Sequence, residues 1–264
     1  MRPTAGTAFR AAAAACLLLC SARAFADESR DILADSEARH RTNAMQYAGQ
    51  LTVTTKDGKV RSKAWKSYRQ GYSAEAKVLI RFTAPPEVRG VGFLSLARTG
   101  VNADQWLYLP SMKRERRIYA QDRDTSFVGT DFTYEDMEEF DYRKYDTKLK
   151  DESAVDGAPC YVIEARPAKS ELATAYAKRM LYLRKDNLYL VREDLYREGD
   201  AKPSKIFLLS RLEKVGGHTV ALNLMMNDLR KESKTVVTLK DVVFDMPQPE
   251  DRYTLKNLNR EGGD

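Results

Sequence analysis

The chain is expected to fold as a mainly β protein: one large, strongly curved antiparallel sheet with a few short helices. Three observations predict this. From Tyr47 to Phe244 apolar residues recur mostly with period two. Short turn sequences separate these runs. No helical pattern alternates regularly with them, which excludes a βαβ architecture.

Ahead of the fold, residues 1–26 read as a cleavable export signal. Arg2 and Arg10 form a positive start, residues 11–20 a short apolar run, and Ala24-Phe25-Ala26 a small-x-small cleavage site. The apolar run is too short to span a bilayer. Leu19 before Cys20 argues against lipidation. The mature chain is then 27–264, expected to form one domain in the periplasm, with no linker or internal repeat.

Residues 27–46 are polar with a thin apolar stripe of Ile32, Leu33 and Met45, which predicts an N-terminal helix. The stretch "YAGQLTVTTKDGKVRSKAWKSYRQ" is two alternating runs around Asp57-Gly58, a hairpin signal. "AEAKVLIRFTAPP" alternates until Pro85-Pro86 stops it. "GFLSLART" and "DQWLYLP" follow as strands. "KYDTKLKDE" and "APCYVIEARP" form a further pair across Val155-Asp156-Gly157. Residues 126–140 and 167–175 read as loop or short helix. The last five runs are "AYAKRMLYLRK", "LYLVREDLYRE", "KIFLLSRLEKV", "HTVALNLMMNDLR" and "KTVVTLKDVVF". Their links are so short that they predict an antiparallel meander. In "TVVTLKDVVF", strict alternation puts Thr235, Val237, Leu239 and Val243 on one face, and Val236, Thr238, Lys240 and Val242 on the other.

Roughly ten long strands in one sheet must twist and curl. The concave apolar face is then either filled by the protein's own side chains or kept for a ligand. Composition leaves both open.

The chemistry-bearing residue types exclude much. The signal takes three of the 44 basic residues and no acid, so the mature charge is 41 − 38 = +3. Nucleic acid is not implied by such a balance, and an exported protein whose aromatics alternate into a sheet argues against it. Only Cys160 remains in the mature chain, so no internal disulfide forms, and it reads as buried and inert. His40 and His218 have no ligand spacing and read as surface residues, leaving no metal site and no cofactor. Phosphate-loop motifs are absent. No nucleophile stands with a base, and Asp131 with Asp136 is unsupported as an acid pair, so the reading is not an enzyme.

One stretch stands out, "QWLYLPSMKRERRIYAQDRDTSFVGTDFTYEDM", residues 105–137. On an extended chain Arg114 and Arg116 point one way, and Glu115 and Arg117 the other. The plain reading is ion pairing with the acids downstream. The alternative is an anion, headgroup or partner contact through Arg114, Arg116 and Arg117, since guanidinium forks suit phosphate and carboxylate. Thr133 with Asp136 fits a capping box, so a short helix is expected near Thr133, with Phe127 and Phe132 packed inward.

Here the sequence resembles a known family. "PPEVRGVGFL", "WLYLPSMKRERRI" and "FVGTDFTYED" together resemble the exported outer-membrane lipoprotein-sorting proteins of the LolA-like superfamily, over nearly the whole mature chain. The resemblance implies an incomplete, half β-barrel with a short helical lid over an apolar cavity. Phe127, Phe132 and Tyr134 would belong to the lid. It implies binding of lipid or acylated lipoprotein, no catalytic residues, peripheral membrane contact only, and an RND/MMPL-type inner-membrane exporter as partner. The expected role is carriage of acyl chains between membranes. The rival is a non-transporting adaptor or lipid sensor that docks a membrane pump or regulator. A sixteen-carbon chain gains roughly 12 kcal/mol gross on burial, at about 0.8 kcal/mol per methylene, so a loosely packed cavity suits both loading and release. Candidate wall residues are Leu107, Leu109, Ile163, Leu181, Leu190, Leu208, Leu224 and Val237, with either strand parity facing inward. Met225 and Met226 are candidates to adapt the wall.

Overall fold

The computed structural model describes residues 28–169 and 172–260. The expected signal and its cleavage site lie outside them. A helix, α1, spans 28–40, close to the predicted one, but Met45 belongs to the first strand. Six strands follow: β1 (Ala44–Thr54), β2 (Val60–Gln70), β3 (Lys77–Ala84), β4 (Gly92–Arg98), β5 (Val101–Leu109) and β6 (Arg114–Ile118). Residues 119–144 carry bends, turns, short 3-10 turns and one isolated antiparallel bridge, Ser126 to Thr133. Then come β7 (Tyr145–Leu149), β8 (Ser153–Val155), β9 (Ala158–Pro167), β10 (Lys178–Arg184), β11 (Leu190–Tyr196), β12 (Lys205–Val215), β13 (His218–Asp228) and β14 (Ser233–Phe244). A last short helix, α2, is Leu255–Leu258.

All pairings are antiparallel, in the order β6-β5-β4-β3-β2-β1-β14-β13-β12-β11-β10-β9-β7, with β8 beside β9. Two meanders are thus joined where the first strand pairs with the last. The predicted five-strand meander is β10 to β14, and the Asp57-Gly58 hairpin joins β1 to β2. Two strands come in addition to those predicted: β6, where the basic run lies, and the short β8. The sheet ends in two unpaired edges, β6 and β7, so it is curved but not closed. Residues 119–144 connect one edge to the other and cross the concave side.

Register fixes which parity faces inward, because cross-strand partners share a face. One inner row is Tyr47, Ser67, Ile80, Phe93 and Leu107. Another is Leu51, Val237, Leu224 and Leu209. The expected alternation in β14 breaks at Asp241, which has φ +52° and no partner in β1; Gln46 pairs with Val243 and Ala48 with Lys240. This β-bulge inserts one residue and reverses the parity. Val242 and Phe244 therefore join Val237 and Leu239 inside, while Val243 turns out to solvent at 37% exposure.

The convex face of β2–β5 is covered by the C-terminal segment. Tyr253 and Leu258 pack with Tyr68, Leu79, Leu94 and Tyr108. Buried Arg81 donates to the Leu258 carbonyl at 2.9 Å and the Asn257 carbonyl at 3.0 Å, satisfying backbone acceptors at the end of α2. Gly92 makes room: a Cβ there would lie 2.8 Å from Leu258 Cδ1.

Candidate functional site

The concave face is partly filled and partly hollow. At the β2–β5 end Phe127, fully buried, sits among Phe93, Tyr134, Phe82 and Trp65 with ring centroids 5.0, 5.6, 5.9 and 6.3 Å away. Each such pair contributes about 0.5–1.5 kcal/mol beyond area burial. At the β7–β10 end α1 covers the sheet: Leu33 packs on Ile163, Leu181 and Leu183. The Ser36 hydroxyl donates to the Leu188 carbonyl at 2.8 Å, and Ser29 bonds to Thr147 at 2.8 Å.

Between these two fillings lies a cavity of about 400 Å³, inside the ~300–1,000 Å³ typical of ligand pockets. Its apolar wall is built by Met45, Ile80, Phe132, Phe207, Leu209, Leu224, Val237, Leu239 and Phe244. A polar end collects His40, Tyr47, Ser67, Arg69, Tyr72 and Glu139. Arg69 Nε pairs with Glu139 at 3.0 Å, and the Ser73 N–H donates to Glu139 at 2.6 Å. Burial pushes the Glu139 carboxyl above its ordinary range; Arg69 and the Ser73 N–H only partly offset it. Burial holds the His40 imidazole below its usual range, although its Nε2 lies 2.9 Å from the Asn187 carbonyl oxygen.

The crossing segment that closes the cavity is anchored from below. Lys205 Nζ donates to the Asp131 carbonyl at 2.8 Å and to Asp136 at 2.9 Å, both side chains of the pair being 3% exposed. Thr235 donates to Asp131 at 2.7 Å. Arg179 bridges Glu135 at 3.0 Å and Glu193 at 2.8 Å. Within the segment itself, Arg123 pairs with Glu138. Burial works against the Asp136 charge, but Lys205 and the Thr133 N–H outweigh it, so its carboxyl sits below the ordinary range. Asp131 and Asp136 are thus committed to holding the segment. The capping box forms: the Thr133 N–H donates to Asp136 at 2.8 Å and the Asp136 N–H to Thr133 at 3.3 Å. It opens only a 3-10 turn, Glu135–Met137, because Glu138 is extended at φ −81°, ψ 144°. Phe127, Phe132 and Tyr134 are carried by this segment and packed into the core, all 6% exposed or less.

A model of a family described as uncharacterized protein matches residues 74–260. The chain belongs to that family. A DUF1329 family protein from Desulfovibrio piger is 26% identical, with 89% of this chain and 99% of that one covered and a TM-score of 0.84. A domain from Vibrio parahaemolyticus described as an outer membrane lipoprotein-sorting protein is 21% identical, covering 89% and 100%, with a TM-score of 0.83. A LolA superfamily protein from Nitrosomonas europaea is 18% identical, covering 86% and 97%, with a TM-score of 0.67. The fold is therefore LolA-like. No curated protein matches the chain.

Of the eight candidate wall residues, Leu190, Leu224 and Val237 line the cavity. Ile163 and Leu181 face inward as a cross-strand pair, but α1 covers them. Leu107 and Leu109 face inward at the end filled by aromatics and do not reach the wall. Leu208 is a correction. It pairs with Arg192 and Met225, and Arg192 lies over the Tyr182 ring on the convex side, so Leu208 points outward while Phe207 and Leu209 point in. Met225 shares that outer row, and Met226 is buried in the core. His40, read as a surface residue, belongs to the wall. Cys160 is fully buried, and burial raises its thiol.

Arg114, Arg116 and Arg117 lie on the edge strand β6, exposed and apart from the cavity wall. Arg117 pairs with Asp104 and stacks over Trp106 at 5.8 Å; Arg116 lies 3.9 Å from Asp122. Internal pairing thus accounts for two of the three. Among the described residues no helix is long and apolar enough to cross a membrane.

The polar end of the cavity went unread. Arg69 and Glu139 are 70 residues apart in sequence, and no local pattern marks either. Phe207 and Leu209 had a signal in Lys205: a lysine on the same parity that finds a buried acid partner would have set the inward face.

Proposed function

We propose that this chain is an exported periplasmic protein whose residues 27–264 form one lipid-binding domain. It holds an acyl chain of a lipid or lipoprotein in the concave cavity and carries it between membranes, exchanging it with an RND/MMPL-type exporter in the inner membrane. The observation that carries this reading is the hollow itself. A sheet of this size has enough side chains to fill its own concavity, and at both ends it does so. Between them Leu224, Val237, Leu239 and Phe244 instead face open volume. Unfilled apolar surface forfeits packing, at roughly 20 cal/mol per Å² of cavity wall, which an acyl chain would restore. The LolA-like fold of the structural neighbours supports the same reading.

The test is lipid extraction and mass spectrometry of protein purified from the periplasm, followed by titration with a neutral fluorescent acyl lipid. Acyl lipid should copurify and the probe should bind. Leu224→Trp places an indole in the hollow. It should keep the wild-type circular dichroism and lower probe affinity by about tenfold or more, the loss of roughly two methylene contacts' worth of burial. Absence of both copurified lipid and probe binding, or undiminished binding by the variant, rejects the reading.

A further inference from the structure

The charges on the cavity wall bear on which acyl compound fits, an inference that rests on the carrier reading above. Besides the tyrosines Tyr47, Tyr72 and Tyr189, the charged or titratable side chains of the wall are His40, Arg69, Asp136, Glu138 and Glu139, with no lysine among them. Asp136 and Glu138 are paired with Lys205 and Arg123, which hold them from behind and are not part of the wall. Arg69 is the sole wall cation among the described residues; it is paired with Glu139, and four of its five N–H groups are committed. Nε faces Glu139, Nη1 donates to the Thr42 and Gly71 carbonyls, and Nη2 donates to the Thr42 hydroxyl. Burial disfavours the charged form of His40, and Arg39 and Lys214 near it are exposed and outside the wall. What the polar end offers a guest is therefore hydroxyls, from Tyr47, Tyr72 and Ser67, the indole N–H of Trp65, and oxygens of carboxylates that already have cation partners.

We infer that the cavity selects an uncharged acyl group, ester- or amide-linked, and discriminates against the free carboxylate of the same chain. A chain entering tail first fills the apolar part and leaves its head beside Glu139 and Glu138. An ester carbonyl accepts from the tyrosine or serine hydroxyls there. A carboxylate meets Glu139 and Glu138 with no wall cation free of an acid partner, the arrangement by which sites reject the wrong partner.

The experiment is displacement of the bound neutral probe by dodecanoic acid and by glycerol monododecanoate, at neutral pH, low ionic strength and concentrations below aggregation. The ester should compete at least about tenfold better. Glu139→Gln, which keeps an acceptor for the Ser73 N–H, should narrow that gap by improving the acid. Equal or better competition by the acid, or a gap unchanged in a folded Glu139→Gln protein, overturns the selectivity while leaving the carrier reading in place. Failure of the probe itself to bind overturns both.

Discussion

Gly49 faces Trp65 directly across the β1–β2 ladder, and the indole occupies the space of the missing side chain. A Cβ at Gly49 would stand 2.2 Å from Trp65 Nε1 and 2.7 Å from Cδ1. Phe82 meets the ring edge-on at 5.5 Å and Phe127 lies beyond at 6.3 Å, so the hollow is the side left for it to shift into. Gly49→Ala should therefore act as overpacking and cost about 1–3 kcal/mol, read as a lower urea midpoint at unchanged slope. Because Trp65 also forms part of the cavity wall, the displaced ring should reduce probe capacity in the protein that remains folded. A glycine between alternating strand residues looks dispensable in sequence; here it seats the indole that bounds the hollow.

At the scale of elements, the crossing segment is held by charge as well as by its aromatics. The Lys205–Asp136 pair is buried, so removing one partner strands the other. Asp136→Asn should destabilise by about 3–5 kcal/mol, and Lys205→Met added to it should recover part of the loss. The pH dependence has a defined sign. Asp136 has a folded pKa below its ordinary value of 3.8, so its contribution is full above that value and is lost as pH falls through the folded one. Glu139 and Glu193, raised by burial, work oppositely: their share is present at low pH and fades as pH rises through their folded values. Urea midpoints measured between about pH 5 and pH 2 should fall less steeply in Asp136→Asn than in the wild type. The strands themselves were legible, because alternation and turn residues are local signals. The bulge at Asp241 was not, since one inserted residue leaves the apolar count of "TLKDVVF" unchanged and only its parity altered. Nor was the buried network. Glu135, Arg179 and Glu193 look like surface charges until the register of β10 and β11 sets Arg179 near Glu193 and the crossing segment lays Glu135 against Arg179.

For the whole molecule, the cavity between two fillings raises the question of which filling yields to admit a guest. The crossing segment carries Phe127 in the centre of the aromatic cluster and is tied to the sheet by pairs from Lys205, Arg179 and Arg69. Helix α1 has Leu33 as its one buried large apolar side chain, and much of its remaining hold is by exposed or partly buried polar contacts: Arg30 to the Tyr145 carbonyl at 3.0 Å, Ser36 to Leu188, and Arg143 to Glu37 at 3.1 Å. Local opening follows the smaller burial. Amides of residues 31–41 should therefore exchange with deuterium well before those of residues 127–138 that hydrogen-bond within the protein. A bound acyl lipid, touching Ser36 and His40 at the cavity wall, should slow the helix and leave the crossing segment nearly unchanged. Hydrogen exchange by mass spectrometry with and without the neutral probe reads both effects. Faster exchange in 127–138 than in α1 would make the crossing segment the gate instead, and Asp136→Asn would then be expected to load lipid faster as it loses stability.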